Sequence, residues 1–142
     1  MKGFYEHSKS AGNTIMGKNT YIETSKYGYF PFPDALNIVV SNQEIENKWG
    51  DNVLITKKSP KDILNLLETK NFKTAFVAGG GQLNSSFLKE NLIDEIYLDV
   101  EPLIFGKGIK VFSEADFEYD LKLMEVNKLN EDTIQLHYKI LK

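Results

Sequence analysis

Gly79-Gly80-Gly81 forms the most distinctive turn in this sequence, because it joins a strand-like segment to a helical one. The apolar residues 74–78 precede it, and a predicted helix follows over about residues 82–90. Glycines at such a turn let a ligand approach the backbone closely, and the helix N-terminus then offers unpaired N–H groups and a positive dipole end to a phosphate. The pattern alone leaves two roles open, phosphate binding and close packing of the turn.

Two further strand-like segments end in residues of the same character. Gly17-Lys18-Asn19-Thr20 follows residues 13–16 at the start of a predicted short helix, and Ser41-Asn42 closes the strand-like residues 36–41. Ligands of open α/β sheets bind at the carboxyl ends of the strands, so three such ends together predict a phosphate-bearing nucleotide. Each turn by itself is more often ordinary turn chemistry. The candidate cofactor-binding residues are Gly17, Lys18, Asn19, Thr20, Ser41, Asn42, Gly79, Gly80, Gly81, Gln82 and Leu83.

The elements that must position these residues alternate between strand-like and helical segments, which predicts an α/β fold. Residues 13–16, 36–41, 53–56 and 93–100 are strand-like, and residues 74–78 are predicted to be a central strand. Ser59-Pro60 has the character of a helix start, since serine can cap and proline suits the first turn. Residues 121–126 and 133–140 predict a C-terminal antiparallel hairpin beside a mostly parallel sheet. A predicted loop before residue 36 contains four aromatic residues, which would either form a wall for a flat ring or anchor the loop to the core: Tyr27, Tyr29, Phe30 and Phe32.

Composition narrows the class of protein. The 142 residues suit a single domain over residues 1–142, and 20 acidic against 17 basic residues give a net charge of −3. We therefore expect no nucleic-acid partner, no membrane partner and a cytoplasmic location. The absence of cysteine and the wide separation of the two histidines predict no metal site. All basic residues are lysines, so no guanidinium is available for bidentate binding of phosphate.

Residues 14–21 (TIMGKNTY), 37–42 (NIVVSN) and 76–83 (FVAGGGQL) resemble successive motifs of the dihydrofolate reductase superfamily. Residues 92–98 (LIDEIYL) and 101–108 (EPLIFGKG) are similar to its riboflavin-biosynthesis reductase branch, the RibD C-terminal domain. The resemblance implies a three-layer α/β/α fold that binds a nicotinamide dinucleotide. It implies that residues 79–83 face the pyrophosphate, that residues 18–20 hold phosphates, and that residues 41–42 lie near the adenosine ribose. NADPH is favoured and NADH is possible, because Lys18 stands where the family usually has arginine.

The sequence departs from the family in two places. Ala35 stands where folate-reducing enzymes carry an arginine that grips the substrate carboxylate, which makes folate a poor candidate substrate. Family members open with a core strand that lines the substrate pocket, with the catalytic acid of the folate enzymes shortly after it, whereas residues 1–5 here match the end of the following helix. We therefore expect an N-terminally truncated domain, as a truncated gene product or as a chain whose first strand another chain supplies. An open gap in the sheet predicts a homodimer, with residues 1–10 or the terminal hairpin at the contact.

Three residues are candidates for contact with substrate. Phe4 aligns with an aromatic residue that contacts substrate in relatives, and Asp99 and Glu101 lie two apart on a predicted strand, so that their carboxylates share a face. A carboxylate there would protonate or orient a heterocycle, although a solvated strand end has the same pattern. The resemblance favours an NADPH-dependent reductase of a pyrimidine- or pterin-like substrate, closest to 5-amino-6-(5-phosphoribosylamino)uracil reductase. The alternatives are dihydrofolate reductase activity, a non-catalytic dinucleotide-binding remnant, and a purely structural module.

Overall fold

The computed structural model describes residues 3–142, in which four helices and seven strands are present. The elements are α1 (Phe4–Ala11), β1 (Asn13–Gly17), α2 (Lys18–Lys26), β2 (Leu36–Val40), β3 (Val53–Thr56), α3 (Pro60–Thr69), β4 (Val77–Gly79), α4 (Gly81–Lys89), β5 (Glu95–Val100), β6 (Asp120–Lys128) and β7 (Ile134–Leu141). Met1 and Lys2, part of the segment predicted to contribute to a dimer contact, lie outside the described residues. None of the described helices is long and apolar enough to span a membrane.

A parallel sheet with the strand order β3-β2-β1-β4 forms the centre of the molecule. Successive side chains of its strands point to opposite faces, and both faces are buried. Ile15 and Ile38 pack with residues of α3 and α4, including Phe87, on one face. Met16 and Val39 pack on the other face, where Tyr21 of α2 contributes. The expected three-layer α/β/α arrangement is confirmed.

The remaining strands form a second, antiparallel sheet with the order β5-β7-β6. Strand β7 is its centre, with Leu136 opposite Leu98 of β5 and Val126 of β6. The predicted C-terminal hairpin, β6 and β7, is therefore confirmed. The outer strand β6 leaves several large apolar side chains about half exposed: Leu121, Leu123, Met124 and Val126.

The strand predicted over residues 74–78 is shorter than expected and is not central. Strand β4 covers Val77–Gly79 and, among residues 3–142, pairs only with β1. The Asn13 side chain accounts for the late start, because its amide donates to the carbonyl of Thr74 (2.7 Å) and its oxygen accepts from the N–H of Phe76 (3.1 Å). A side chain thus takes the place of a partner strand at the carbonyl of Thr74 and the N–H of Phe76. The far edge of β4 faces β5 across a gap.

The structure confirms the helix start predicted at Ser59-Pro60 and shows how the aromatic loop before β2 is held. The Ser59 hydroxyl caps α3 by accepting from the N–H of Asp62 (3.2 Å), and proline occupies the first turn. In the loop before β2, Phe30 and Phe32 are buried and anchor the chain, whereas Tyr27 and Tyr29 are exposed. The Asn37 side chain fixes this loop, since it accepts from the N–H of Phe32 and donates to the carbonyl of Phe32, both at 3.0 Å.

Candidate functional site

Two helices begin side by side at the carboxyl edge of the parallel sheet. Strands β1 and β4 are neighbours, and α2 and α4 start directly after them. A Cβ built on Gly17, the residue before α2, would lie 3.9 Å from the carbonyl oxygen of Gly79 and 3.9 Å from the nitrogen of Gly80. Neither helix has a side-chain cap, in contrast to α3. The first-turn N–H groups of both helices therefore point to one region, where their dipoles favour an anion.

The three glycines at the junction of β4 and α4, Gly79, Gly80 and Gly81, differ in backbone conformation and in packing. Gly79 is buried with φ at +114°, a conformation that other residues rarely adopt. A Cβ on Gly81 would lie 2.5 Å from the carbonyl oxygen of Lys110, so close packing excludes a side chain there. Gly80 is exposed, has φ at −78°, and would place a Cβ no closer than 3.5 Å to Thr20 Oγ1. Packing thus explains Gly81 and the positive φ explains Gly79, whereas the φ of Gly80 and the space around it are compatible with a side chain.

The packing partner of Gly81 is a short segment that crosses the start of α4, residues 110–113, which we call the strap. The N–H of Ser113 donates to the carbonyl of Gly81 (3.2 Å), and the Ser85 hydroxyl donates to the carbonyl of Ser113 (2.7 Å). The Asn84 side chain donates to the carbonyl of Val111 (2.9 Å). The sequence analysis missed this contact. The spacing of small polar residues at positions 84 and 85 was its only local signal.

Lys18 provides the one cation at the start of these two helices within the described chain. Its ammonium group donates to the Gln43 side chain, which lies just beyond β2. The sequence analysis missed Gln43, whose signal was its position two residues after Ser41. The bond holds the lysine across the carboxyl ends of β1 and β2.

The other predicted cofactor residues surround this point, and their roles stay predictions. The Ser41 hydroxyl accepts from the N–H of Gln43 (3.1 Å) and donates to the carbonyl of Gln43 (3.0 Å), so it supports the turn after β2. Asn19, Asn42 and Gln82 are exposed. Leu83 is buried in the core, which leaves its backbone as the part near the site.

A cavity of about 1080 Å³ lies beside the glycine turn, between β4 and β5. Ala78 and Asn84 line the end next to the turn, and Phe4 lines the side formed by α1. The Phe4 ring is 36% exposed, and its centroid lies 5.0 Å from that of Phe32 and 5.1 Å from that of Phe76. This end of the cavity has the aromatic and apolar walls that a flat heterocycle requires.

Tyr97 lies on the β5 side of the cavity, where its ring stacks on that of His137 with centroids 4.1 Å apart. The ring centroid of His7, on α1, is 4.2 Å from that of Tyr97, so the contact spans the gap. Burial raises the pKa of the Tyr97 phenol, and the carboxylates of Glu95 and Glu125 raise it further. The phenol therefore stays neutral to a higher pH than an ordinary tyrosine does.

Of the two candidate catalytic carboxylates, Asp99 lies on β5, whereas Glu101 follows the end of that strand at Val100 and is not on the strand as expected. Both carboxylates accept hydrogen bonds from side chains at or just before the start of β7. Asp99 accepts from the Gln135 side chain (2.9 Å), and Glu101 accepts from the Thr133 hydroxyl (3.0 Å). Neither residue lines the cavity. Their catalytic role stays a prediction. No group of three or more acidic or histidine side chains suited to a metal ion occurs among residues 3–142.

Comparison with known proteins identifies the family. The RibD C-terminal domain model matches residues 31–135. An uncharacterized Bacillus subtilis protein, YwjB, is 26% identical over 137 residues, which cover 96% of this chain and 78% of YwjB. The riboflavin biosynthesis protein RibD of Aquifex aeolicus is 32% identical over 111 residues, which cover 71% of this chain and 31% of that protein.

Two solved structures show the same fold. A putative riboflavin biosynthesis protein from Shewanella sp. PV-4 superposes with a TM-score of 0.86 at 26% identity, over 100% of this chain and 81% of that one. The Thermotoga maritima diaminohydroxyphosphoribosylaminopyrimidine deaminase/5-amino-6-(5-phosphoribosylamino)uracil reductase superposes with a TM-score of 0.69 at 18% identity, over 96% of this chain and 47% of that one. The chain thus spans less than half of that deaminase/reductase and of the Aquifex protein. It belongs to the RibD C-terminal domain family and has the dihydrofolate reductase-like fold.

Proposed function

We propose that this chain binds NADPH at the paired starts of α2 and α4 and is a reductase of a pyrimidine- or pterin-like heterocycle. The closest reaction is that named for the Thermotoga relative, the reduction of 5-amino-6-(5-phosphoribosylamino)uracil. The bound dinucleotide would supply the hydride. The observation that carries the proposal is the adjacency of two helix N-termini without side-chain caps.

The residues at this edge fit a dinucleotide. A pyrophosphate needs several donors that converge without a bulky side chain, and the exposed Gly80 lies at the start of α4. Lys18 adds the single positive charge, held toward β2 by Gln43. Because lysine is a point charge, it neutralises a phosphate without the fork geometry of arginine. This arrangement favours NADPH through charge at the 2′-phosphate and leaves NADH as the weaker ligand.

The heterocycle would occupy the end of the cavity next to the glycine turn. Ala78 and Asn84 border that end, and Phe4 supplies an aromatic surface against which a flat ring can pack. The role of these residues would be to orient the ring and to exclude water from it. The absence of arginine makes a folate, with its glutamate carboxylates, a poorer substrate than a pyrimidine.

Calorimetry with NADPH, followed by an assay of reduced-nicotinamide absorbance, tests the proposal. We expect saturable binding and faster oxidation with 5-amino-6-(5-phosphoribosylamino)uracil than with dihydrofolate. Lys18→Ala should weaken NADPH binding, whereas Lys61→Ala should leave it unchanged, because Lys61 lies in the first turn of the capped helix α3. The absence of dinucleotide binding by the folded chain would contradict the proposal.

A non-catalytic dinucleotide-binding protein is the second candidate. The observation that favours it is that Asp99 bonds to Gln135, that Glu101 bonds to Thr133, and that neither carboxylate lines the cavity. Binding of NADPH with no oxidation of it, for either heterocycle, would select this candidate.

A further inference from the structure

A chain segment with three consecutive large apolar residues lies exposed beside the cavity. Residues 101–110 have no regular secondary structure and are exposed throughout. Within them, Leu103 is 64% exposed, Phe105 is 74% exposed and Ile104 is fully exposed. Single exposed apolar residues are common on protein surfaces, whereas a contiguous apolar patch marks a surface that binds something. The patch therefore indicates a binding role for residues 103–105, which we call the apolar triplet.

Both ends of this exposed segment lie on the rim of the cavity between β4 and β5. The segment begins directly after β5, whose Leu98 lines the cavity. It ends at the strap, whose Val111 and Phe112 also line the cavity. The Asn84 side chain, which borders the end next to the glycine turn, donates to the carbonyl of Val111 (2.9 Å) and so holds the strap there. The segment thus passes from one side of the cavity to the other, at the end where the heterocycle is proposed to lie.

The chain between the apolar triplet and the strap contains two glycines that can act as a hinge. A Cβ built on Gly106 or on Gly108 would meet no atom within 4 Å beyond its neighbours in the chain. Glycine permits a wide range of backbone conformations, so the chain can turn at these two positions. Because an extended chain spans at most about 3.6 Å per residue, Phe105 can reach roughly 18 Å from Val100 at the end of β5. The cavity adjoins β5 and lies within that reach.

The cavity needs a cover if it is to serve the proposed reaction. Its volume of about 1080 Å³ exceeds the roughly 300–1,000 Å³ of typical small-molecule sites. A flat heterocycle that packs against Phe4 is covered on one face and meets water on the other. Loops that close over a bound ligand exclude water and complete the arrangement of the reacting groups. An apolar group within reach of the free face of the heterocycle would supply this cover.

We propose that the apolar triplet is a lid, which folds over the bound heterocycle and places Ile104 and Phe105 against the face that Phe4 leaves free. The proposal rests on the proposed function, because it assigns further substrate-contacting residues to the same site. Closure turns the chain at Gly106 and Gly108, buries the triplet and removes water from the heterocycle. The two phenylalanine rings then enclose the flat ring from opposite sides.

Limited trypsin digestion of the full chain measures closure, because every basic residue is a lysine and Lys107 lies between the two hinge glycines. Without ligands, the bond after Lys107 should be cut early. With saturating NADP⁺, which carries no hydride to transfer, and 5-amino-6-(5-phosphoribosylamino)uracil at ten times its Kd, cleavage there should slow about tenfold, because binding protects by the factor 1 + [L]/Kd. Cleavage after Lys26, at the exposed end of α2, should keep its rate and is the internal control.

Ile104→Ser tests the contact with substrate, and Ile109→Ser is its matched control. Ile109 is 97% exposed in the same segment, but it lies beyond the hinge and next to the strap. Ile104→Ser should raise the KM for the heterocycle about tenfold, as expected for the loss of an apolar contact, and should leave the Kd of NADPH unchanged. Ile109→Ser should change neither quantity. Urea unfolding should give both variants the stability of the wild type, since both side chains are exposed in the open form.

The outcomes separate the lid from the proposed function. If calorimetry shows that both ligands bind while cleavage after Lys107 keeps its rate, the lid is refuted and the proposed function stands. An unchanged KM in Ile104→Ser would also overturn the lid. So would cleavage after Lys107 that slows without ligand as the protein concentration rises, since a second copy would then cover the triplet. A folded chain that binds neither ligand would refute the proposed function and the lid together.

Discussion

Replacing Gly80 by alanine tests whether the glycine turn binds a ligand or serves only the packing of the chain. The new Cβ would lie 3.5 Å from Thr20 Oγ1, an ordinary contact, and φ is −78°, which alanine adopts readily. Alanine is a poorer N-cap than glycine but restricts the unfolded chain, and these opposing effects leave the free energy of unfolding within about 1 kcal/mol of the wild type. The fold should therefore survive the change.

The same change should weaken dinucleotide binding. The methyl group would project from the exposed start of α4, where the proposed pyrophosphate must approach the backbone. A hydrogen bond to a charged group contributes about 1.5–3 kcal/mol, so the loss of one raises Kd roughly 10- to 100-fold. Gly80→Val, with a branched side chain, should abolish binding.

Calorimetry with NADPH measures the effect, and urea unfolding verifies the fold. Gly81→Ala is the comparison for packing and not for binding, because its Cβ would lie 2.5 Å from the Lys110 carbonyl oxygen and should lower the free energy of unfolding by displacing the strap. If Gly80→Ala binds NADPH with the wild-type Kd, the turn serves packing alone and the phosphate site lies elsewhere.

Three further outcomes are expected. Lys18→Ala should narrow the difference in calorimetric affinity between NADPH and NADH, and equal affinities in the wild type would contradict the role of Lys18. Because the pKa of Tyr97 is raised, the folded state binds the phenolic proton more tightly than the unfolded state does. The contribution of this proton to the free energy of unfolding is complete below about pH 10, the pKa of the unfolded phenol, and is lost as the pH rises through the higher folded pKa. Tyr97→Phe should remove that part of the pH dependence of urea unfolding. We expect light scattering to show a homodimer of the 16.2 kDa chain. Leu123→Lys, which places a charge on the half-exposed face of β6, should dissociate the dimer. A wild-type monomer at micromolar concentration would contradict the assembly.

Elements with a local signal were predictable from the sequence. The start of α3 follows from Ser59 and Pro60, whose effects act within one turn. Strands β1, β2 and β3 were predicted to within a residue of their observed bounds, because their apolar residues form short runs between turn residues. The glycine turn was also identified correctly as a junction of strand and helix.

What the sequence did not predict depends on residues far apart in the chain. Strand β4 was expected to be central, but its position at an edge follows from which strands pair, and its short length follows from the Asn13 side chain. The strap contacts Gly81 through Lys110, which lies 29 residues further along the sequence. No local sequence pattern predicts this contact. Residues 79–81 could be recognised as one motif, yet their separate roles required the three-dimensional neighbours of each glycine.

The strap and the proposed phosphate site share one turn of helix α4. The strap is bonded to Gly81, Asn84 and Ser85, the same turn of helix whose unpaired N–H groups face the proposed phosphate. Thermodynamic linkage requires that, if a docked strap strengthens anion binding by some factor, a bound anion strengthens strap docking by the same factor. The exposed segment over residues 101–110 leads directly into the strap, so any partner that holds this segment would act on nucleotide affinity from a distance. Cofactor binding and surface recognition would then regulate each other reciprocally.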